Sequence, residues 1–180
     1  MAKARLDDPL TVDQLRSLLD YHPKLGLFFW RRRPEVTQYD RSWNTRYAGS
    51  VAGTPTVPRG YVQILLNGKL YLGHRLAFLW MTGKWPEFEG DHIDGNPSNN
   101  RWSNLRDATR GQGMMNTGPR SDNGSGYRGV YWSTTKRRWV ANIYANKKRH
   151  YIGYFDTAEA AHAAYAEAAK RLHGEFARTG

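Results

Sequence analysis

The chain has 180 residues, a formal net charge of +11 and a sequence pI near 10.0. That length holds one large or two small domains, and the charge favours a polyanionic partner, nucleic acid before membrane. No cysteine is present, which excludes disulfides and thiolate zinc sites, and neither an apolar leader nor a run of membrane-spanning length is seen, so a cytoplasmic, non-secreted protein without structural zinc is expected.

Thr11-Val12-Asp13-Gln14 has capping-box spacing, and Val12, Leu15, Leu18 and Leu19 recur at helical period, predicting a short amphipathic helix that ends near Tyr21. His22 precedes Pro23 and is biased away from helix. Lys24-Leu25-Gly26 reads as a turn into a strand, Leu27-Phe28-Phe29-Trp30, and Arg31-Arg32-Arg33 after it is either a solvated edge or a phosphate contact. Residues 35–60 are rich in Gly, Pro, Thr and Ser without periodicity, and are read as loop with one short strand.

Tyr61–Leu66 and Lys69–Leu72 flank Asn67-Gly68, the pair that a two-residue type I′ hairpin requires. Gly73–Met81 follows as a helix whose aromatic stripe is read as core, with His74 structural or phosphate-binding, and Gly83-Lys84-Trp85-Pro86 breaks it.

The next stretch is Asp91-His92-Ile93-Asp94-Gly95-Asn96, then Asn99-Asn100-Arg101, Asn104-Leu105-Arg106 and Ala108-Thr109. Asp91 and His92 are adjacent, so on a strand they point to opposite faces, yet a bent strand end lets both serve one site. A carboxylate suits a hard cation and an imidazole suits base catalysis on water; a turn with a solvated histidine is the plain alternative. The longer pattern resembles the HNH endonuclease family in its phage and homing branch, over roughly residues 10–118.

That resemblance implies a ββα-metal fold around one Mg²⁺ or Mn²⁺ ion. Asp91 would be a metal ligand, His92 the general base, and Asn104 the residue that braces the loop. The family places a second ligand on the following helix, where this chain has Gly113. Asn116, one helical turn on, is the candidate replacement. A catalytically inactive DNA-binding protein with this fold is therefore the alternative to a nuclease.

Gly118–Gly126 has linker composition, dividing the chain into residues 1–118, a linker over 119–125 and a second domain over 126–180. Three segments of alternating character follow, Tyr127–Trp132, Arg138–Tyr144 and Arg149–Phe155, then an alanine-rich helix opened by Asp156-Thr157-Ala158-Glu159 and closed at Gly174. Between Asn123 and Phe155 there are seven Lys or Arg and no Asp or Glu, several beside aromatic residues. Such a sheet suits a major groove; a solvated basic face and single-stranded RNA stacking are the alternatives.

Tyr-Arg-Gly-Val, Trp-Val-Ala, Ile-Gly-Tyr-Phe-Asp-Thr-Ala-Glu-Ala-Ala and Ala-Tyr-x-x-Ala-Ala in this order resemble an AP2 DNA-binding domain. The resemblance implies that Arg128, Gly129, Arg138, Trp139, Arg149 and Tyr151 contact DNA. The whole reading is an α+β protein: an N-terminal ββα-metal module, and a C-terminal three-stranded antiparallel sheet packed on one helix. Double-stranded DNA is the expected partner, with no nucleotide cofactor and a monomeric or weakly dimeric state.

Overall fold

In the computed structural model, which describes residues 10–178, the chain divides into two compact units between Arg110 and Gly111. The first begins with helix α1 (Val12–Leu18), closed at its N-terminus by the Thr11–Gln14 capping box. Strand β1 (Leu19–His22) takes over at Leu19, so the helix is three residues shorter than its apolar period suggests. Leu19 and Tyr21 alternate inward while Asp20 and His22 face out, and this period-two burial selects a strand. Strand β2 (Leu27–Trp30) pairs antiparallel with it.

The segment read as loop holds a second helix, α2 (Gln38–Tyr47), followed by the short strands β3 (Val51–Ala52) and β4 (Thr54–Pro55). Its signal was polar rather than periodic. Thr37 and Asp40 form a reciprocal capping box, and the buried Asn44 side chain bonds both the N–H and the carbonyl of Arg33, at 2.9 Å each. The Arg33 guanidinium lies 3.6 Å from the Trp43 ring centroid, which docks the helix on the segment that follows β2.

Strands β5 (Val62–Leu66) and β6 (Lys69–Leu72) form the expected hairpin, with Asn67 and Gly68 both at positive φ. Helix α3 (Gly73–Thr82) follows without a break. Leu15, Leu19, Phe28, Ile64, Leu66, Leu76 and Leu79 build one core from α1, β1, β2, β5 and α3, and Leu105 joins it from β8 (Leu105–Ala108). Full burial of each such side chain contributes about 1.5–3 kcal/mol. The partner of β8 is β7 (Glu89–His92), and a short helix, α4 (Arg110–Met115), follows the pair.

In the second unit β9 (Val130–Ser133), β10 (Arg138–Ala145) and β11 (Lys148–Phe155) form an antiparallel sheet in the order β11, β10, β9. Helix α5 (Ala158–His173) lies on it, capped by the Thr157 hydroxyl and ending at Gly174. Ala161, Ala168 and Ala169 are buried together with Tyr165, Val130, Ala141 and Ile143, so the alanines let helix and sheet approach closely. The fold is α+β throughout, built from small antiparallel sheets.

Candidate active site and nucleic-acid interface

The two strands of the central motif are in register with Asp91 opposite Arg106 and His92 opposite Leu105. Arg106 donates to Asp91 Oδ2 through Nε at 2.9 Å and through Nη2 at 2.8 Å. Both side chains are mostly shielded, at 12% and 16% exposure. Asp107, one residue on, accepts the N–H groups of Glu87 and Phe88 at 2.8 and 3.1 Å and so fixes the entry to β7.

His92 is buried, at 4% exposure, where Asp91 is half-buried. Its ring meets the His74 ring edge-on, with centroids 5.0 Å apart, and Tyr61 lies 6.0 Å away. Its Nε2 is 2.9 Å from Asn100 Oδ1. Loss of water lowers the His92 pKa, against the opposing pull of the Asn100 bond and the Asp94 and Asp91 charges. His74 is pushed down to about 3, first by burial, then by His92 and Arg75. Both imidazoles are therefore neutral near pH 7. Gly90 makes the approach possible, because a Cβ there would sit 2.6 Å from His74 Cδ2.

The loop from Ile93 to Asn104 carries its own scaffold. Asn104 Oδ1 accepts the Asp94 N–H at 3.0 Å, and its Nδ2 donates to Asp94 Oδ1 at 2.9 Å and to the Asn99 carbonyl at 2.8 Å. Its main-chain carbonyl accepts the Ile93 N–H at 2.8 Å. Burial raises the Asp94 pKa, but bonds from Asn96, Asn99 and Asn104 outweigh that and hold the carboxylate ionised. Asn100 anchors the loop to the core. It is 2% exposed, and its carbonyl accepts the Tyr21 hydroxyl at 2.6 Å. Gly26 lies against it at φ +72°, where a Cβ would come within 2.3 Å of the Arg101 nitrogen.

Asn100, Arg106 and His74 were not singled out from sequence as parts of the site. The signal for the first two was their place inside the motif. His74 had only a place at the start of α3, and its contact with His92 joins residues 18 positions apart. The compact unit that carries Asp91, His92 and Asn104 ends at Arg110, and Asn116 falls in the other. Asn116 is buried, at 5% exposure, and its N–H donates to the Gly113 carbonyl at 3.1 Å. A Cβ on Gly113 would have nothing within 4 Å, so packing does not demand glycine there. Among the described residues no three His, Cys, Asp or Glu side chains gather as a metal cage. A single carboxylate fits a hard cation that keeps most of its ligands as water and substrate phosphate, as Mg²⁺ does.

The residues expected at a DNA contact in the second unit divide into two groups. Arg128 donates to the carbonyls of Met114, Met115 and Thr117 at 2.8, 2.7 and 2.5 Å, so it closes the end of α4. Gly129 has φ +71°, and a Cβ there would lie 2.4 Å from the Asn142 carbonyl oxygen and 2.5 Å from the Tyr165 ring. Trp139 is half-buried and meets Trp132 edge-on at 5.4 Å. Arg128 thus holds the end of α4, while Gly129 and Trp139 pack within the sheet and its helix. Arg138, Arg149 and Tyr151 are exposed. Arg138 pairs with Asp156 at 2.8 Å, and Tyr151 meets Tyr154 edge-on at 5.4 Å, with exposed Tyr131 nearby. Removal from water, then the neighbouring Tyr154 and Tyr131, raise the Tyr151 pKa, so these phenols share one surface.

The HNH endonuclease family profile matches residues 71–115, and the AP2 domain profile matches residues 125–175. Protein 3.8 of Escherichia phage T7 is 34% identical over 56% of this chain and 84% of its own length. An uncharacterized HNH endonuclease of Acanthamoeba polyphaga mimivirus, L560, is 36% identical over 61% of this chain. The chain spans 57% of that viral protein. A solved structure of the HNH homing endonuclease I-HmuI is 23% identical, covering 59% of this chain and 55% of its own, with a TM-score of 0.40. With β7 carrying Asp91 and His92 and Asn104 standing just before β8 inside the first match, and a three-stranded sheet on one helix inside the second, the chain belongs to the HNH endonuclease family and carries an AP2 domain behind its HNH segment.

Proposed function

We propose that this protein is a divalent-metal-dependent endonuclease that hydrolyses phosphodiester bonds of duplex DNA, leaving a nick, and is held on its target by the AP2 domain. The observation that carries this reading is the state of His92. It is a buried imidazole at the end of β7, bonded to Asn100 at 2.9 Å, with its pKa lowered by burial, next to the Asp91 carboxylate that Arg106 holds at 2.8 Å. A neutral imidazole accepts a proton from water as that water attacks the scissile phosphate.

Asp91 would hold the cation, and Arg106 keeps its carboxylate oriented. Bound there, Mg²⁺ or Mn²⁺ supplies charge neutralisation at the phosphate and the departing 3′ oxygen. Asn104 acts by keeping the loop behind His92 closed. The exposed Arg149 and Tyr151 contribute cationic and flat aromatic surface for the duplex, and tethering raises the local concentration of the nuclease beside its cut site. One such site per chain cuts one strand.

Conversion of supercoiled plasmid to the nicked form with Mg²⁺ or Mn²⁺ tests the proposal, with His92→Ala beside the wild type. Nicking by the wild type and none by the variant is the expected result. A second reading, a DNA-binding protein that has lost cleavage, is favoured by Gly113, which offers no ligand atom. Inert wild-type protein together with nicking by Gly113→Asn would establish that reading instead.

A further inference from the structure

We propose that Asn100 is a positioning residue that sets the tautomer of His92, holding the hydrogen on Nε2 and the lone pair on Nδ1. Its side-chain oxygen is 2.9 Å from Nε2, and an amide oxygen only accepts, so the nitrogen that faces it must carry hydrogen. In a neutral imidazole the other nitrogen then has the lone pair. The base is Nδ1.

The orientation of Asn100 is set from several sides. Its carboxamide nitrogen faces Gly73 at the start of α3, where a Cβ would lie 2.9 Å away and crowd it. Its carbonyl is held by the Tyr21 hydroxyl at 2.6 Å, its N–H donates to the Ser98 carbonyl at 3.2 Å, and Gly26 packs under its backbone. At 2% exposure no water competes for the side-chain oxygen. The ring has little room to turn over, because His74 abuts it edge-on with centroids 5.0 Å apart. Two core contacts, one through Tyr21 and one through His74, thus reach the base without touching substrate.

The catalytic meaning of this arrangement rests on the nuclease reading above, whereas the tautomer itself does not. The test therefore begins without DNA or metal. Full-length protein labelled with ¹⁵N at histidine gives long-range ¹H–¹⁵N correlations that distinguish the two neutral tautomers, with His92 assigned by the loss of its signals in His92→Ala. The expected pattern is Nε2–H in the wild type, retained in Asn100→Asp, whose carboxylate also accepts, and lost or mixed in Asn100→Ala. In plasmid nicking, Asn100→Ala is expected to lower kcat by about 10–100-fold with KM for DNA little changed, and Asn100→Asp to recover part of it.

An Nδ1–H pattern in the wild type overturns the proposal, and so does an Asn100→Ala protein with unchanged tautomer and rate. Should Asn100→Ala fail to fold, the wild-type and Asn100→Asp spectra still decide. If the wild type does not cleave DNA but shows the Nε2–H pattern and loses it in Asn100→Ala, the nuclease reading falls and the role of Asn100 stands.

Discussion

Arg106 places two donors, Nε and Nη2, on a single oxygen of Asp91, at 2.9 and 2.8 Å, across one rung of the β7–β8 ladder. A charge-assisted fork of this kind orients a carboxylate in a shielded setting. Arg106→Ala removes both of these bonds from that carboxylate. It is expected to lose about 1–3 kcal/mol of stability in urea unfolding, with a coupling of similar size in the Asp91→Ala, Arg106→Ala double-mutant cycle. Additive effects would mean the pair is not coupled.

Asn104→Ala removes three side-chain hydrogen bonds from the Asn-rich loop. Each contributes about 1 kcal/mol net, so about 1–3 kcal/mol is expected, and amide hydrogen exchange should speed up from Ile93 to Asn99. Protection unchanged in that loop would remove Asn104 from the bracing role.

The two buried imidazoles tie stability to pH. The His74 pKa is lowered to about 3 in the folded chain, and that of His92 is lowered as well, while both lie near the ordinary histidine value when unfolded. Below the unfolded pKa the unfolded state binds more protons, so stability is full above about pH 6.5 and falls on acidification, by about 1.4 kcal/mol per pH unit for each group that stays neutral in the fold. Melting curves from pH 7 to pH 4 should show a shallower loss for His74→Phe than for the wild type.

Arg128 and Arg149 separate structure from recognition within the AP2 domain. Arg128→Ala removes three bonds to main-chain carbonyls and should lower Tm. Arg149→Ala should leave Tm within about 1 °C and weaken duplex binding, lowering the slope of log K against log salt by about 1. The exposed Arg149 carries the binding test because its loss does not open the fold.

Gly26→Ala is expected to cost at least about 3 kcal/mol, read as a fall in the urea midpoint, since the new carbon meets the Arg101 backbone at 2.3 Å at a positive φ. Gly113→Asn has open space and should leave stability within about 1 kcal/mol.

The sequence by itself determined the local structure wherever a short rule governs it. Asn67-Gly68 demands positive φ at both positions and so made its hairpin; Thr11 with Gln14 named a cap, whereas the carboxylate cap expected at Asp156 is supplied one residue on by the Thr157 hydroxyl; the alternating run after Gly126 made the AP2 sheet. The Asp91-His92 and Asn104 motif was legible because its spacing is local. What escaped depends on partners distant along the chain. Helix α2 has little apolar periodicity and is docked by Asn44 and by Trp43 against Arg33. The switch from α1 to β1 at Leu19 follows from pairing with β2. That His74 would meet His92, that Tyr21 would hold Asn100, and that Arg128 would turn onto carbonyls were decided by tertiary packing, because burial and hydrogen-bond partnership belong to pairs of residues brought together by the fold.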